Sequence, residues 1–167
     1  KFFFKITKSI KDYLIMNFYK KKIMYLSSVG GHLDQLLKIA NYLKIKNSIF
    51  IVNDRTDLDS IMIGKTIRIT HAERNWKQII NFIEALFYIC KYRPQFLIST
   101  GASPAIPFSL AAKIIGTKII FIESLSRVYS PSLSGKIMYH LSDQFYIQWA
   151  GLKKFFPKSL FYGNLFE

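Results

Sequence analysis

A glycine turn followed by a histidine is the first feature of this sequence that is suited to chemistry. Gly30 and Gly31 lie between an apolar stretch that ends in serines, with Ser28 nearer the turn, and a stretch with helical apolar spacing. The first N–H groups of a helix lack partners within it and carry the positive end of its dipole, so they bind phosphate. Glycine keeps that backbone open to a ligand. His32, on the first turn, can donate to the phosphate or take a proton from an attacking group, or it can merely cap or pack.

A second glycine turn follows a later apolar stretch. Gly101 frees this turn, Ser103 is a suitable N-cap, and Pro104 fits the first position of a helix. A second helix is therefore expected to present its first N–H groups to the same ligand. Thr100 and Gly101 are the candidate ligand-binding residues of this turn.

A polar loop after the next apolar stretch adds a carboxylate, hydroxyls and a guanidinium group. Glu123 is suited to act as a base on an acceptor hydroxyl, and equally to anchor its loop by accepting backbone hydrogen bonds. Ser124 and Arg127, which follow it, are candidate substrate-binding residues, as is Ser28 before the first glycine turn. Because Arg127 lies in a polar loop, binding of an anionic substrate or a partner is favoured over an isolated surface ion pair.

Strands that alternate with helices are expected to position these loops. The apolar patterns predict strands at residues 23–28, 48–53, 66–70, 96–100, 118–123 and 144–149. They predict helices after the first glycine turn and at residues 75–93, 104–115 and 134–141. Strands separated by helices indicate an α/β, Rossmann-like parallel sheet with helices on both faces. Ligands of such sheets bind outside the carboxyl ends of the strands, where all three polar loops fall.

The helix predicted at residues 75–93 has more apolar surface than one sheet face needs. The stripe predicted to face the core comprises Trp76, Ile79, Ile80, Ile83, Leu86, Phe87 and Cys90. A second stripe comprises Phe82, Ala85, Ile89 and Tyr92. A membrane, a partner chain or the N-terminal helix could cover the second stripe, and burial within the domain is the commonest outcome for such a helix.

The composition predicts one domain with an anionic partner. Half of the 167 residues are hydrophobic, which suits one full core and is too little chain for two ordinary domains. Lysine and arginine outnumber the acidic residues by 24 to 10, and the formal net charge of +14 suits nucleic acid, an acidic membrane or a phosphorylated substrate. The single cysteine excludes an internal disulfide, and the three histidines lack metal-ligand spacing. We therefore expect a reducing compartment, no metal and no resident cofactor.

Residues 1–22 have the pattern of a basic amphipathic helix. Its apolar face would hold Phe2, Phe3, Ile6, Ile10, Tyr13 and Leu14. Its polar face would hold Lys5, Lys8, Lys11 and Asp12. No apolar run approaches the roughly 18 to 20 residues that cross a bilayer, so we expect a peripheral helix on the anionic cytoplasmic face of the cell membrane. The alternative is that the helix simply packs on the domain formed by residues 23–167.

The loops, taken in order, resemble a known family. The motifs are Ser-Ser-Val-Gly-Gly-His at 27–32, Ser-Thr-Gly-Ala at 99–102, Ile-Glu-Ser at 122–124, Ser-Gly-Lys at 134–136 and Tyr-Ile-Gln-Trp at 146–149. They resemble the PssD-type proteins of bacterial capsule and exopolysaccharide synthesis. Those proteins are similar to the membrane subunit of the split N-acetylglucosaminyltransferase in dolichol-linked oligosaccharide assembly. More distantly, the pattern is similar to the acceptor-binding N-terminal half of MurG-type enzymes.

The resemblance implies the N-terminal half of a GT-B glycosyltransferase, active only with a partner. A second chain would carry the domain that binds most of the UDP-sugar donor, and the acceptor would be a polyprenyl-diphosphate-linked saccharide. The sugar transferred would be GlcNAc, galactose or glucuronic acid. The resemblance assigns Gly30, Gly31 and His32 to the first acceptor loop and Gly101 to the second. It assigns Glu123 and Ser124 to an acidic motif after the fifth strand. For the expected attack of an acceptor hydroxyl, His32 and Glu123 are the candidate bases.

Two other classes of protein stay open at this point. A dinucleotide-binding oxidoreductase is suggested by the glycine turn and by Asp54, placed where a ribose-binding acid would lie. The chain lacks the G-x-G-x-x-G spacing, however, and has His32 where the backbone should approach a pyrophosphate. A nucleic-acid-binding protein is suggested by charge alone, and the dispersed lysines without a recognition motif argue against a nucleic-acid partner.

Overall fold

The described residues of the chain form seven strands and five α-helices. The computed structural model describes residues 2–17, 22–53, 65–70, 77–101 and 104–166. The strands are β1 Ile23–Ser27, β2 Ser48–Asn53, β3 Lys65–Ile69, β4 Phe96–Ser99, β5 Lys118–Ile122, β6 Gln144–Ile147 and β7 Leu160–Phe161. The helices are α1 Phe2–Asn17, α2 Gly31–Leu43, α3 Lys77–Tyr92, α4 Ala105–Ile115 and α5 Leu133–Leu141, with a 3-10 helix at Ala150–Lys154. Asp54, Trp76 and Ser103, which the sequence singled out, lie outside the described residues.

All seven strands form one parallel sheet in the order β3-β2-β1-β4-β5-β6-β7. The predicted parallel sheet is therefore confirmed, and each of the six predicted strands is present. β7 was missed because two residues are too few to show an alternating pattern. The chain builds outward from β1 through β2 in one direction and from β4 through β5 in the other. The strand order thus reverses between β1 and β4, where ligands of such sheets bind.

Helices cover both faces of the sheet. On one face the buried residues of α3, α4 and α5 pack against β1, β2, β4, β5 and β6. On the other face those of α1 and α2, together with Leu165, pack against the alternate residues of the same strands. Because helices cover both faces, β1 and β4 are buried along their whole length. Strands in this position need apolar residues at nearly every position.

Helix α1 belongs to the core of the domain. Ile6, Ile10 and Leu14 are at most 1% exposed and pack on the sheet and on α2. The Ser9 hydroxyl lies 3.1 Å from the Tyr146 hydroxyl in β6, and burial raises the pKa of Tyr146 to about 12. This packing contradicts the expectation that Ile6, Ile10 and Leu14 lie in a membrane, because the sheet already covers them. No helix among the described residues is long and apolar enough to cross a bilayer.

Helix α3 packs with the opposite face from the predicted one. Ala85 and Ile89, assigned to the second stripe, are fully buried, whereas Ile79, Ile83 and Phe87 of the predicted core stripe are 66%, 62% and 57% exposed. Periodicity could not choose between two apolar stripes. The stripe that contains Ala85 faces the core, and its small side chain suits the close packing of α3 on α4. A row of large apolar side chains is left on the surface.

Candidate functional site

The first glycine turn joins β1 to α2 in a conformation that only glycine adopts readily. Gly30 is the N-cap of α2, with φ 86° and ψ −152°. The first bonds of the helix run to the Gly30 carbonyl from the N–H groups of Leu33 and Asp34. The N–H groups of Gly31 and His32 have no acceptor within the part of the chain that the structure describes. They are therefore available to an anion.

His32 is fixed by reciprocal hydrogen bonds to the second glycine turn. Its Nδ1 lies 2.8 Å from the Thr100 carbonyl oxygen, and the Thr100 hydroxyl donates to the His32 carbonyl at 2.7 Å. A carbonyl oxygen can only accept, so Nδ1 carries the proton in the neutral ring and Nε2 is left with a lone pair. The Ser27 hydroxyl lies 3.3 Å from the Thr100 hydroxyl and completes the junction. This tautomer makes His32 a proton acceptor through Nε2.

Gly101 lies next to the His32 ring. The residue has φ 107°, and a Cβ built on it would lie 3.4 Å from Cε1 of His32. The backbone conformation therefore favours glycine, whereas the distance to the ring is an ordinary van der Waals contact. At Gly31 a Cβ would meet nothing within 4 Å, so the fold itself does not require glycine there. The expectation that a ligand approaches the bare Gly31 backbone stays a prediction.

These residues meet at the reversal of strand order. Ser27 ends β1, and Ser99, directly before Thr100, ends the neighbouring strand β4. The two glycine turns, expected at one sheet edge, are therefore side by side and bonded through His32 and Thr100. Ser28 lies half-buried between β1 and the turn. A parallel sheet binds ligands at such a crevice.

Glu123 is an internal anchor in this structure. It is 1% exposed, and its carboxylate accepts hydrogen bonds from the Ser124 N–H, the Ser132 N–H and the Ser132 hydroxyl. Ser132 is the N-cap of α5 and also accepts from the Gly135 N–H at 2.8 Å. These bonds hold the loop after β5 against the start of α5. The geometry therefore favours the anchoring role over the predicted role as a base, and we keep His32 alone as the candidate base.

The loop after β5 presents its charge to solvent. Ser124 is buried, and its hydroxyl lies 2.9 Å from the Ser126 hydroxyl. The Arg127 N–H donates to the Ser124 carbonyl at 3.1 Å, while the Arg127 side chain is exposed. Arg127 is thus carried on a backbone that is fixed at its base, which suits a residue that binds an anion.

Three buried amides of the site were not predicted from the sequence. The Val29 N–H donates to Asn53 Oδ1 at 3.1 Å, so the end of β2 supports the first glycine turn. Gln35 and Gln148 are 4% and 1% exposed and bond to each other beneath the loop after β5. Gln148 lies in the Tyr-Ile-Gln-Trp motif at the end of a buried apolar strand, and a polar residue at that position was the available signal.

The fold of this domain is shared with glycosyltransferases of the GT-B type and with sugar-nucleotide epimerases. MurG from Acinetobacter baumannii superposes with a TM-score of 0.64 at 14% identity, over 86% of this chain and 45% of that chain. UDP-N-acetylglucosamine 2-epimerase from Rickettsia bellii gives 0.68 at 16% identity, over 83% and 42%. The predicted fold class, equivalent to the N-terminal half of a GT-B glycosyltransferase, is confirmed.

The sequence identifies the family more narrowly. Residues 55–165 match the family described as oligosaccharide biosynthesis protein Alg14 like. The chain belongs to this family, which confirms the resemblance found in its motifs. The family match favours the glycosyltransferase class over the oxidoreductase and the nucleic-acid-binding protein.

The individual relatives share one protein name. The human UDP-N-acetylglucosamine transferase subunit ALG14 is 35% identical over 83 residues, which are 46% of this chain and 38% of the human protein. The protein of the same description from Yarrowia lipolytica is 23% identical over 174 residues, 86% of this chain and 81% of that protein. The matched part spans 38% of the human, rat and mouse relatives alike.

Proposed function

We propose that this chain is the acceptor-side subunit of a two-chain glycosyltransferase, which moves a sugar from a UDP-sugar to a polyprenyl-diphosphate-linked saccharide. The relatives are named as subunits of a UDP-N-acetylglucosamine transferase, which favours GlcNAc over galactose or glucuronic acid. The pathway would be oligosaccharide, capsule or exopolysaccharide synthesis. The second chain would bind most of the UDP-sugar, and this chain would bind the acceptor and hold its partner at the membrane. No resident cofactor is proposed.

The observation that carries the proposal is the bonded junction of two glycine turns around His32. The free N–H groups of Gly31 and His32 suit one phosphate of the acceptor, and Arg127 on the neighbouring loop suits the other. His32 Nε2 would accept the proton of the acceptor hydroxyl as its oxygen bonds to the anomeric carbon and UDP leaves. Each group acts from a position that backbone bonds fix.

Reconstitution with the second chain tests this function. The full chain, co-expressed with a candidate partner chain that carries the UDP-sugar-binding domain, is assayed with UDP-GlcNAc and an isoprenyl-diphosphate-linked GlcNAc in the presence of membranes. We expect transfer by the pair and none by either chain alone, because one Rossmann-like domain provides only half of a GT-B cleft. Transfer by the purified chain without a partner would contradict the two-chain proposal, as would an inactive but assembled pair.

The membrane contact is proposed on α3 and α4 in place of α1. Exposed apolar residues form a row on each helix, and the two helices pack against each other on the same face of the sheet. We call these residues the α3–α4 ridge: Ile79, Ile83, Phe87, Leu110 and Ile114. An exposed apolar patch of this kind is typical of a protein or lipid contact.

Basic residues beside the ridge favour an anionic lipid surface as its occupant. The ammonium group of Lys91 lies 5.2 Å from the centroid of the Phe87 ring. Those of Lys22, Lys65 and Lys91 lie 5.0 to 5.7 Å from the Tyr92 ring at the end of α3. At a lipid bilayer, apolar side chains enter the acyl region while neighbouring cationic side chains contact the anionic headgroups. We propose peripheral attachment to the cytoplasmic face of the membrane through this surface.

Phe87→Asp in the full chain is expected to weaken binding to vesicles that contain anionic phospholipid by about tenfold or more, because it removes a large apolar group and adds repulsion. Cosedimentation with the vesicles measures the bound fraction. The matched control is Met16→Asp, at an exposed apolar position on α1, across the sheet from the ridge. If Met16→Asp abolishes binding and Phe87→Asp leaves it intact, α1 is the anchor and the ridge is not.

A further inference from the structure

Two buried glutamines join three separate segments of the chain under the candidate site. Gln35 lies in the second turn of α2, and Gln148 follows β6 directly. Their side chains meet with Nε2 of Gln148 donating to Oε1 of Gln35 at 2.6 Å. Both are nearly inaccessible to solvent, so each unmade hydrogen bond here would leave a desolvated polar group.

The side chains of Gln35 and Gln148 also form hydrogen bonds with main-chain groups. Gln35 Nε2 donates to the Gly31 carbonyl at 2.9 Å, and Gln35 Oε1 also accepts from the Leu125 N–H at 3.3 Å. Gln148 Nε2 donates to the Glu123 carbonyl at 2.9 Å, and Gln148 Oε1 accepts from the Leu165 N–H at 3.0 Å. The network therefore links the start of α2, the loop after β5 and the C-terminal segment.

The glutamine network contacts the two segments that form the proposed acceptor site. One end reaches Gly31, whose N–H belongs to the anion-binding turn. The other end reaches Glu123 and Leu125, which begin the loop that carries Arg127. The Trp149 ring N–H donates to the Leu125 carbonyl at 2.6 Å, so both polar groups of the Leu125 backbone are bonded to side chains. Side chains of α2 and of the segment after β6 thus connect the glycine turn to the loop that carries Arg127.

We infer that Gln35 and Gln148 are positioning residues that hold Arg127 at a fixed distance from the Gly31–His32 turn, so that both bind one diphosphate. The inference rests on the proposed function, because it gives that site its acceptor geometry. A loop on flexible backbone would have to be ordered when the acceptor binds, and the network removes that cost in advance. Neither glutamine contacts the acceptor in this arrangement.

Gln35→Met and Gln148→Met are the test variants, since methionine keeps the side-chain length and removes the hydrogen bonds. In the assembled complex each variant is expected to raise the KM for the diphosphate-linked acceptor by about tenfold, with kcat and the KM for UDP-GlcNAc little changed. The matched control is Thr117→Val. It removes one buried hydrogen bond, from the Thr117 hydroxyl to the Pro94 carbonyl, at the opposite edge of the sheet. We expect it to leave the acceptor KM unchanged.

A double-mutant cycle with Arg127→Ala separates positioning from general stability. If the glutamines act through Arg127, Gln35→Met adds nothing to the acceptor KM of the Arg127→Ala complex. A merely structural defect would raise the acceptor KM equally in both backgrounds, and that result would overturn the inference. An unchanged acceptor KM in Arg127→Ala alone would overturn it too.

Amide hydrogen exchange on the full chain gives a readout that does not depend on activity. Gln35→Met is expected to speed exchange at residues 124–128 while the core strands stay protected as in Thr117→Val. If the wild-type complex transfers no sugar, the proposed function fails by itself, and exchange still decides whether the network orders the loop. Unchanged exchange at residues 124–128 in both glutamine variants would overturn the inference whatever the activity.

Discussion

His32→Ala in the assembled two-chain complex is expected to lower kcat by about a hundredfold or more, because the substitution removes the general base that we propose. The Thr100 carbonyl oxygen accepts a hydrogen bond from the Nδ1–H of His32, so in the neutral ring the Nε2 lone pair is available for the acceptor hydroxyl. His32→Asn keeps a donor toward Thr100 and lacks the basic nitrogen, so it should be as inactive as the alanine variant. Single-turnover kinetics with saturating acceptor measure the chemical step.

The matched control is the exposed histidine of α5, His140, at which alanine should leave kcat unchanged. Partner binding should be retained in all three variants. If correctly assembled His32→Ala and His32→Asn complexes keep near-normal turnover, the base belongs to the partner chain. This chain would then be a scaffold that binds the acceptor.

Gly135→Ala is expected to lower the free energy of unfolding by about 3 kcal/mol or more, since it forces a methyl group into a buried hydrogen-bonded carboxylate. A Cβ at Gly135 would lie 1.7 Å from Oε2 of Glu123 and 2.9 Å from the Ser132 hydroxyl. The start of α5 or the Glu123 side chain must move, and the bonds that anchor the loop after β5 would be lost with it. Urea denaturation followed by circular dichroism measures the change.

Gly151→Ala provides the control for this substitution. A Cβ there would have its nearest contact at 3.7 Å, to the Val128 carbonyl oxygen, which is an ordinary van der Waals distance. We expect a change within about 0.5 kcal/mol, as for surface substitutions away from special features. Equal unfolding midpoints for Gly135→Ala and the wild-type chain would show that the packing of Glu123 on α5 is wrong.

The succession of strands and helices along the chain and the position of the loops were predictable from the sequence because each depends on local patterns. Apolar runs bounded by glycine or proline located β1, β4 and β5. The glycine turns located the helix starts at the carboxyl ends of those strands. Parallel pairing then followed from the alternation of strands and helices, and placed the turns at one edge.

The orientation of α1 and α3 was not predictable, because it depends on tertiary packing. A basic amphipathic helix has the same periodicity whether its apolar face meets a membrane or a sheet. For α1 the burial of Ile6 and Ile10 on the sheet decides between them. For α3 two apolar stripes competed, and the one that contains Ala85 was buried. The stripe of α3 left outside supplies the α3 residues of the α3–α4 ridge.

The site was predictable in its residue types and not in their roles. His32 and Glu123 looked equivalent as candidate bases in the sequence. The structure separates them by environment, since the Glu123 carboxylate is bonded to its own loop whereas His32 keeps a ring nitrogen with a lone pair. Gln35 and Gln148 are 113 residues apart in sequence, so no local pattern could have paired them.

Acceptor binding at the two glycine turns is the central claim, and nuclear magnetic resonance of the ¹⁵N-labelled full chain tests it most directly. The chain is titrated with a short-chain isoprenyl-diphosphate-linked GlcNAc, and the amide shifts are followed. We predict that the largest shifts fall at Gly30, Gly31, His32 and Gly101, since their backbone groups surround the proposed diphosphate. Saturable shifts confined to other surfaces, such as the lysine-lined cavity beside Lys38 and Lys44, would contradict the claim, as would no shifts at all.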